Sequence, residues 1–112
     1  MLSMPTKSKE VLFTEEAAAF VEGLSRVSKV KLLATTDILE RQGYLNKPLA
    51  EKVEGQTNLF SITIHTSDNP RVFYAYDDGT VIWLLHGYYK KKNKIPLAEL
   101  NKALAIKRRI GL

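Results

Sequence analysis

At 112 residues the chain can build one hydrophobic core but not two, so it reads as a single domain over 1–112. With 45% hydrophobic and 26% charged residues it has the balance of a soluble globular protein, and the absence of cysteine excludes disulfides and thiolate metal sites. The net charge of +5 is segregated: residues 1–78 carry nine Lys/Arg against eleven Asp/Glu, and residues 79–112 carry eight against one. Such a basic third suits nucleic acid first, then anionic lipid or an acidic protein, with a solvated basic tail as the bland alternative. Two histidines without HxH or HExxH spacing argue against zinc, and no metal or other cofactor is expected. The opening MLSMPTKSKE lacks the apolar run of a signal peptide, and nothing approaches the ~20 apolar residues of a membrane span. Cytoplasmic residence is the default expectation.

In chain order, Val11-Leu12-Phe13 is predicted as an edge strand. Thr14 is then an N-cap, with Glu15 and Glu16 in the first turn of a helix through Ala17, Phe20, Val21 and Leu24. Ser28 is the candidate cap of a second helix carrying Val30, Leu32, Leu33, Ile38 and Leu39, with Gly43 as its C′ residue. Residues 44–56, punctuated by Pro48 and Gly55, read as loop. Residues 58–66 alternate, with Phe60, Ile62 and Ile64 on one side and Leu59, Ser61, Thr63 and His65 on the other. His65 is left as surface polar. Residues 67–70 are a turn; Pro96 opens a last helix with Leu97, Leu100 and Leu104 as its stripe, and Gly111 ends it.

The richest stretch is RVFYAYDDGTVIWLLHGYYKKKNK, residues 71–94. Asp78-Gly79 predicts a two-residue hairpin loop, because both positions tolerate positive φ. That loop sets Phe73 opposite Leu84 and Arg71 opposite His86; a three-residue loop would shift the register. Alternation then puts Tyr88, Lys90 and Lys92 on Arg71's side and Tyr89 and Lys91 on the other, and gathers Tyr74, Tyr76 and Trp83 on one packing face. An Arg, a His, a Tyr and one or two Lys on one surface make an anion site. The apolar run 81–85 suits a central strand.

The element order, the Lys52-Val53-Glu54-Gly55 stretch before a strand, and the tract from Leu84 to Pro96 resemble the RelE/ParE toxin superfamily, nearest its HigB-like, phage-derived host-inhibition branch. The resemblance covers about 10–110. It implies an α+β fold, with a helical hairpin on a small mainly antiparallel sheet plus a C-terminal helix. It also implies a type II toxin that cleaves mRNA, usually on the ribosome, and a cognate antitoxin, expected to be a small helix-turn-helix protein. Arg71, His86, Lys90, Lys91 and Lys94 match the family's basic positions. Where the family strand usually has an arginine, this chain has Thr63, which removes one phosphate-binding cation.

Metal-free RNA cleavage by the adjacent 2′-OH needs a base, cations for the phosphorus centre and an acid for the leaving oxygen. Crowded ammonium groups favour loss of a proton from one of them, which makes Lys90 the candidate base by its face. Arg71 would clamp phosphate and His86 would be the acid. Tyr88, Tyr89, Lys92, Lys107, Arg108 and Arg109 are candidate RNA-binding residues, although the last three also suit a helix C-terminus. Two other functions compete: a ParE-like, non-enzymatic inhibitor of DNA gyrase, and a catalytically weakened RNA- or ribosome-binding module.

Overall fold

Thr14 organises the first turn of the chain that follows it. In the computed structural model, which describes residues 8–112, its hydroxyl accepts the Ala17 N–H and caps α1 (Glu15–Glu22). The same hydroxyl donates to the Leu85 carbonyl at 2.6 Å, which ties the helix start to the sheet. β1 (Glu10–Phe13) precedes it and α2 (Arg26–Gln42) follows, ending at Gly43 with φ 85° as its C′ position predicts. Then come β2 (Ala50–Lys52), β3 (Phe60–Thr63), β4 (Pro70–Asp77), β5 (Val81–Tyr89) and α3 (Leu97–Arg109). The sequence expectation about a signal peptide rests largely on residues 1–7, which lie outside the described residues.

The sheet order is β1-β5-β4-β3-β2, with β1 parallel to β5 and every other pair antiparallel. This is the α+β class expected, with β1 an edge strand and β5 an interior one. One face of the sheet, with Ile62, Val72, Tyr74, Ile82 and Leu84, packs on Ala17, Val21, Leu24, Leu32 and Leu39 of the helical hairpin. The other, with Leu59, Phe73, Ala75, Leu85 and Tyr88, packs on Ala103 and Ile106 of α3.

Five local expectations are corrected. Ser25, not Ser28, caps α2, accepting the Ser28 N–H; Ser28 itself is buried and bonded to Thr66 and Asp68. Leu32 and Leu39 are buried as expected, but Val30 and Leu33 are exposed and Ile38 is borderline. The buried arc of α2 instead takes Ser28, Thr35 and Thr36; the Ser28 hydroxyl donates to Asp68, and the two threonines donate within the helix to the carbonyls of Lys31 and Leu33. Residues 50–52 form β2 inside the expected loop. In α3, Pro96 is the N-cap and Leu97 is exposed, while Leu100 and Leu104 pack partly buried as expected beside the buried Ala103 and Ile106.

The hairpin register is the fifth correction. Asp77 pairs with Val81 across a three-residue loop, and a bulge between Phe73 and Tyr74 slides the pairing again. Arg71 therefore faces Tyr88, and His86 faces Phe73. Trp83 faces Ala75 and packs on the α3 side, apart from Tyr74 and Tyr76 on the other.

Candidate functional site

Arg71 lies opposite Thr63 on one side and Tyr88 on the other, in the middle of the sheet. Its Nη1 donates to the Thr63 hydroxyl. Its Nε–H is buried and has no acceptor among the described residues. A buried donor left unpaired costs roughly 1–3 kcal/mol. Tyr88 beside it is buried, which pushes its phenol upward, an effect opposed by the Arg71 charge and by Ser61. The hydroxyl stays protonated and able to donate.

Around Arg71 runs an open groove of about 550 Å³ lined by Lys47, Lys52, Lys90 and Lys94. Two carboxylates, Glu51 and Glu54, line it as well, so cations outnumber acids five to two. Lys90 is set by its neighbours: its N–H donates to the Asn69 carbonyl, and the Asn69 amide donates to the Lys90 carbonyl. Asn69 takes φ 55°, a conformation tolerated by asparagine, at the turn leading into β4. An adjoining cavity of about 340 Å³ adds His65, whose Nε2 lies 2.8 Å from the Pro48 carbonyl.

The predicted residues divide into three groups. Arg71, Tyr88, Lys90 and Lys94 come together in the groove. Tyr89, Lys91 and Lys92 line a cavity on the other side of the tract, with Lys94 shared. His86, Lys107, Arg108 and Arg109 line neither.

His86 shares a sheet face with Arg71 but not a cavity. The Phe73 and Tyr88 rings stack at 5.2 Å along the opposite diagonal of the two cross-strand pairs and fill the space between them. Its Nε2 sits 3.1 Å from Glu99 of α3, beside a 510 Å³ cavity between α1 and α3. The C-terminal basic residues also serve the fold. Lys107 donates to the Thr57 carbonyl, and Arg109 makes a two-pronged ion pair with Glu16 at 2.6 and 2.8 Å. That guanidinium holds the Glu16 carboxyl down at about 2. Tyr88 lines the groove, but its ring face is spent on Phe73.

Sequence reasoning missed Lys47, Lys52, Glu51, Glu54 and His65 as groove residues. The last was legible: alternation already puts His65 in phase with Thr63, and Thr63 lies opposite Arg71. Glu51 and Lys52 lie in β2, a strand of three residues, and Lys47 and Glu54 in the chain on either side of it.

The family model described as phage-derived protein Gp49-like matches residues 19–108. No curated protein matches the chain. Among solved structures, an arginine-to-alanine double mutant of the E. coli toxin RelE in the free state is similar at 15% identity and a TM-score of 0.66, with 94% of this chain and 99% of that one covered. RelE in the archaeal RelE–RelB complex of Pyrococcus horikoshii gives 21% identity and a TM-score of 0.60, over 76% and 98% of the two chains. The E. coli RelBE toxin–antitoxin complex gives 15% and 0.63, over 75% and 99%. These likenesses bear out the fold that the resemblance implied.

Proposed function

The chain belongs to the phage-derived Gp49-like family, and from that premise we propose that it is the toxin of a toxin–antitoxin pair, cutting mRNA at the Arg71 groove. The observation that carries this is Arg71, held by Thr63 in the middle of the sheet and lining a groove where cations outnumber acids five to two. A phosphodiester seated there meets a fixed guanidinium first and mobile ammonium groups around it.

In the reaction the 2′-oxygen attacks the adjacent phosphorus while the bond to the 5′-oxygen breaks, leaving a cyclic phosphate and a free 5′-hydroxyl. Lys90 takes the 2′-OH proton, since it lies on Arg71's side of the lysine tract and lines the same groove. Arg71 holds the charge that grows on the phosphoryl oxygens. Lys94 gives a proton to the leaving oxygen; the acid role expected of His86 passes to it, since His86 is bound to Glu99 outside the groove. Thr63, where the family pattern has arginine, acts instead as acceptor for Arg71 and fixes its orientation.

The similar RelE structures solved with RelB support an antitoxin as partner, one whose acidic segment would cover the basic groove. No helix among the described residues is long and apolar enough to cross a membrane. The test is induction of wild type and Arg71→Ala in a bacterial host, with primer extension on several transcripts. Arrest with new transcript ends in the wild type only is expected. A folded Arg71→Ala that arrests growth equally overturns the proposal, and intact mRNA with DNA breaks in the wild type favours gyrase inhibition.

A further inference from the structure

Strand alternation separates two adjacent tyrosines. Tyr88 turns into the Arg71 groove and is buried, whereas Tyr89 turns to the opposite side and is 39% exposed. There it lines a cavity of about 410 Å³ with Ile95 and Pro96, rimmed by Lys91, Lys92 and Lys94. Lys94 and Ile95 line this cavity and the Arg71 groove alike, so the two are contiguous across the lysine tract.

The Tyr89 ring is held from behind. Phe20 of α1 packs against it with ring centroids 5.1 Å apart and planes tilted by 50°. Phe20 reaches that position because Gly87 has no side chain; a Cβ there would lie 2.1 Å from Phe20 Cδ2. A ring packed in this way, and still partly exposed where it lines the cavity, loses little rotamer freedom on binding.

An apolar floor with one fixed aromatic face and a rim of ammonium groups suits a flat, neutral ring carried on an anionic backbone. From this geometry we infer that the Tyr89 cavity is a stacking subsite for one unpaired nucleobase of single-stranded RNA, a nucleotide flanking the phosphate held at Arg71. Every base has a π face, so the subsite adds affinity and positions the strand while leaving base choice open. Lys94, between the two cavities, contacts the backbone joining the two nucleotides. This inference rests on the RNA-cleaving reading of the Arg71 groove and adds the path of the strand leaving it.

The test is fluorescence anisotropy with short 2′-O-methyl oligoribonucleotides, which cannot be cleaved through the 2′-oxygen. Wild type is compared with Tyr89→Leu, which keeps apolar packing on Phe20, with Tyr89→Trp, and with Arg71→Ala; thermal melts confirm that each is folded. A stacked base contributes about 1–3 kcal/mol, so Tyr89→Leu weakens binding roughly 5- to 150-fold while Tyr89→Trp binds at least as tightly as wild type. Moving a single abasic nucleotide along the oligonucleotide identifies one position at which wild type and Tyr89→Leu become equal. Unchanged affinity in folded Tyr89→Leu, or a loss independent of the abasic position, overturns the subsite. If Arg71→Ala weakens binding and Tyr89→Leu does not, only the subsite falls. If wild type binds no RNA, the proposed function falls with it.

Discussion

Gly87→Ala tests whether the Phe20–Tyr89 arrangement is as closely built as it looks. The added Cβ would meet Phe20 Cδ2 at 2.1 Å and two further ring atoms at 2.5 Å. Carbon atoms rest about 3.5–4.0 Å apart, so the ring must retreat by more than about 1 Å. Tyr89 blocks one way out, and β5 cannot bow away easily because Gly87 pairs with Val72 inside the β4–β5 ladder. Overpacking of this kind costs about 1–3 kcal/mol, against up to about 1 kcal/mol regained by replacing glycine in a strand. The net loss of about 1–2 kcal/mol lowers the melting temperature by roughly 4–10 °C. Urea and thermal unfolding of Gly87→Ala, Phe20→Ala and the double variant measure this directly. With the ring removed, Gly87→Ala should be neutral or stabilising. An equal cost in both backgrounds, or a Gly87→Ala that melts like wild type, refutes the reasoning.

Two further predictions concern stability. Thr14→Val removes both the cap on Ala17 and the donor to the Leu85 carbonyl, and should cost about 2–4 kcal/mol in urea unfolding, most of it recovered by Thr14→Ser; a valine variant within half a kcal/mol of wild type would contradict this. Arg109→Ala removes the partner that depresses Glu16 from 4.5 to about 2, so the stabilisation is complete above pH 4.5 and is lost as pH falls towards 2. The gap in melting temperature between wild type and Arg109→Ala should therefore be present at pH 7, shrink with salt and close between pH 4.5 and 2; a gap that persists at pH 2 assigns it to something other than the ion pair.

The hairpin shows what a sequence carries and what it leaves out. Asp78-Gly79 is a sound turn signal, yet the loop takes one residue more, and the bulge at Phe73/Tyr74 takes another. A slip of two residues preserves which side of the sheet each side chain points to. Tyr88 and Lys90 therefore fall beside Arg71, and Tyr89 and Lys91 away from it, as alternation predicts; Lys92, expected beside Arg71, lines the Tyr89 cavity instead because β5 ends at Tyr89, and the residue facing Arg71 changes from His86 to Tyr88. The bulge was not legible locally, because the Leu85 carbonyl is taken up by Thr14, 71 positions earlier. The reading of α2 held for the helix, Leu32 and Leu39, and missed the rest of its buried face for a related reason: Thr35 and Thr36 enter the core because each satisfies its own hydroxyl within the helix, and periodicity weighs only apolarity. The N-cap at Thr14 and the stop at Gly43 were legible, since each depends on the chemistry of one residue and its neighbours.

The two walls of the Arg71 groove are unequally anchored. β4, which carries the guanidinium, is laced to a neighbour along both edges, whereas β2 has three residues and a neighbour on one edge only. Strands held so differently open at different free energies. The wall carrying Lys52 and Glu51 therefore opens at a lower free energy than the strand that fixes Arg71.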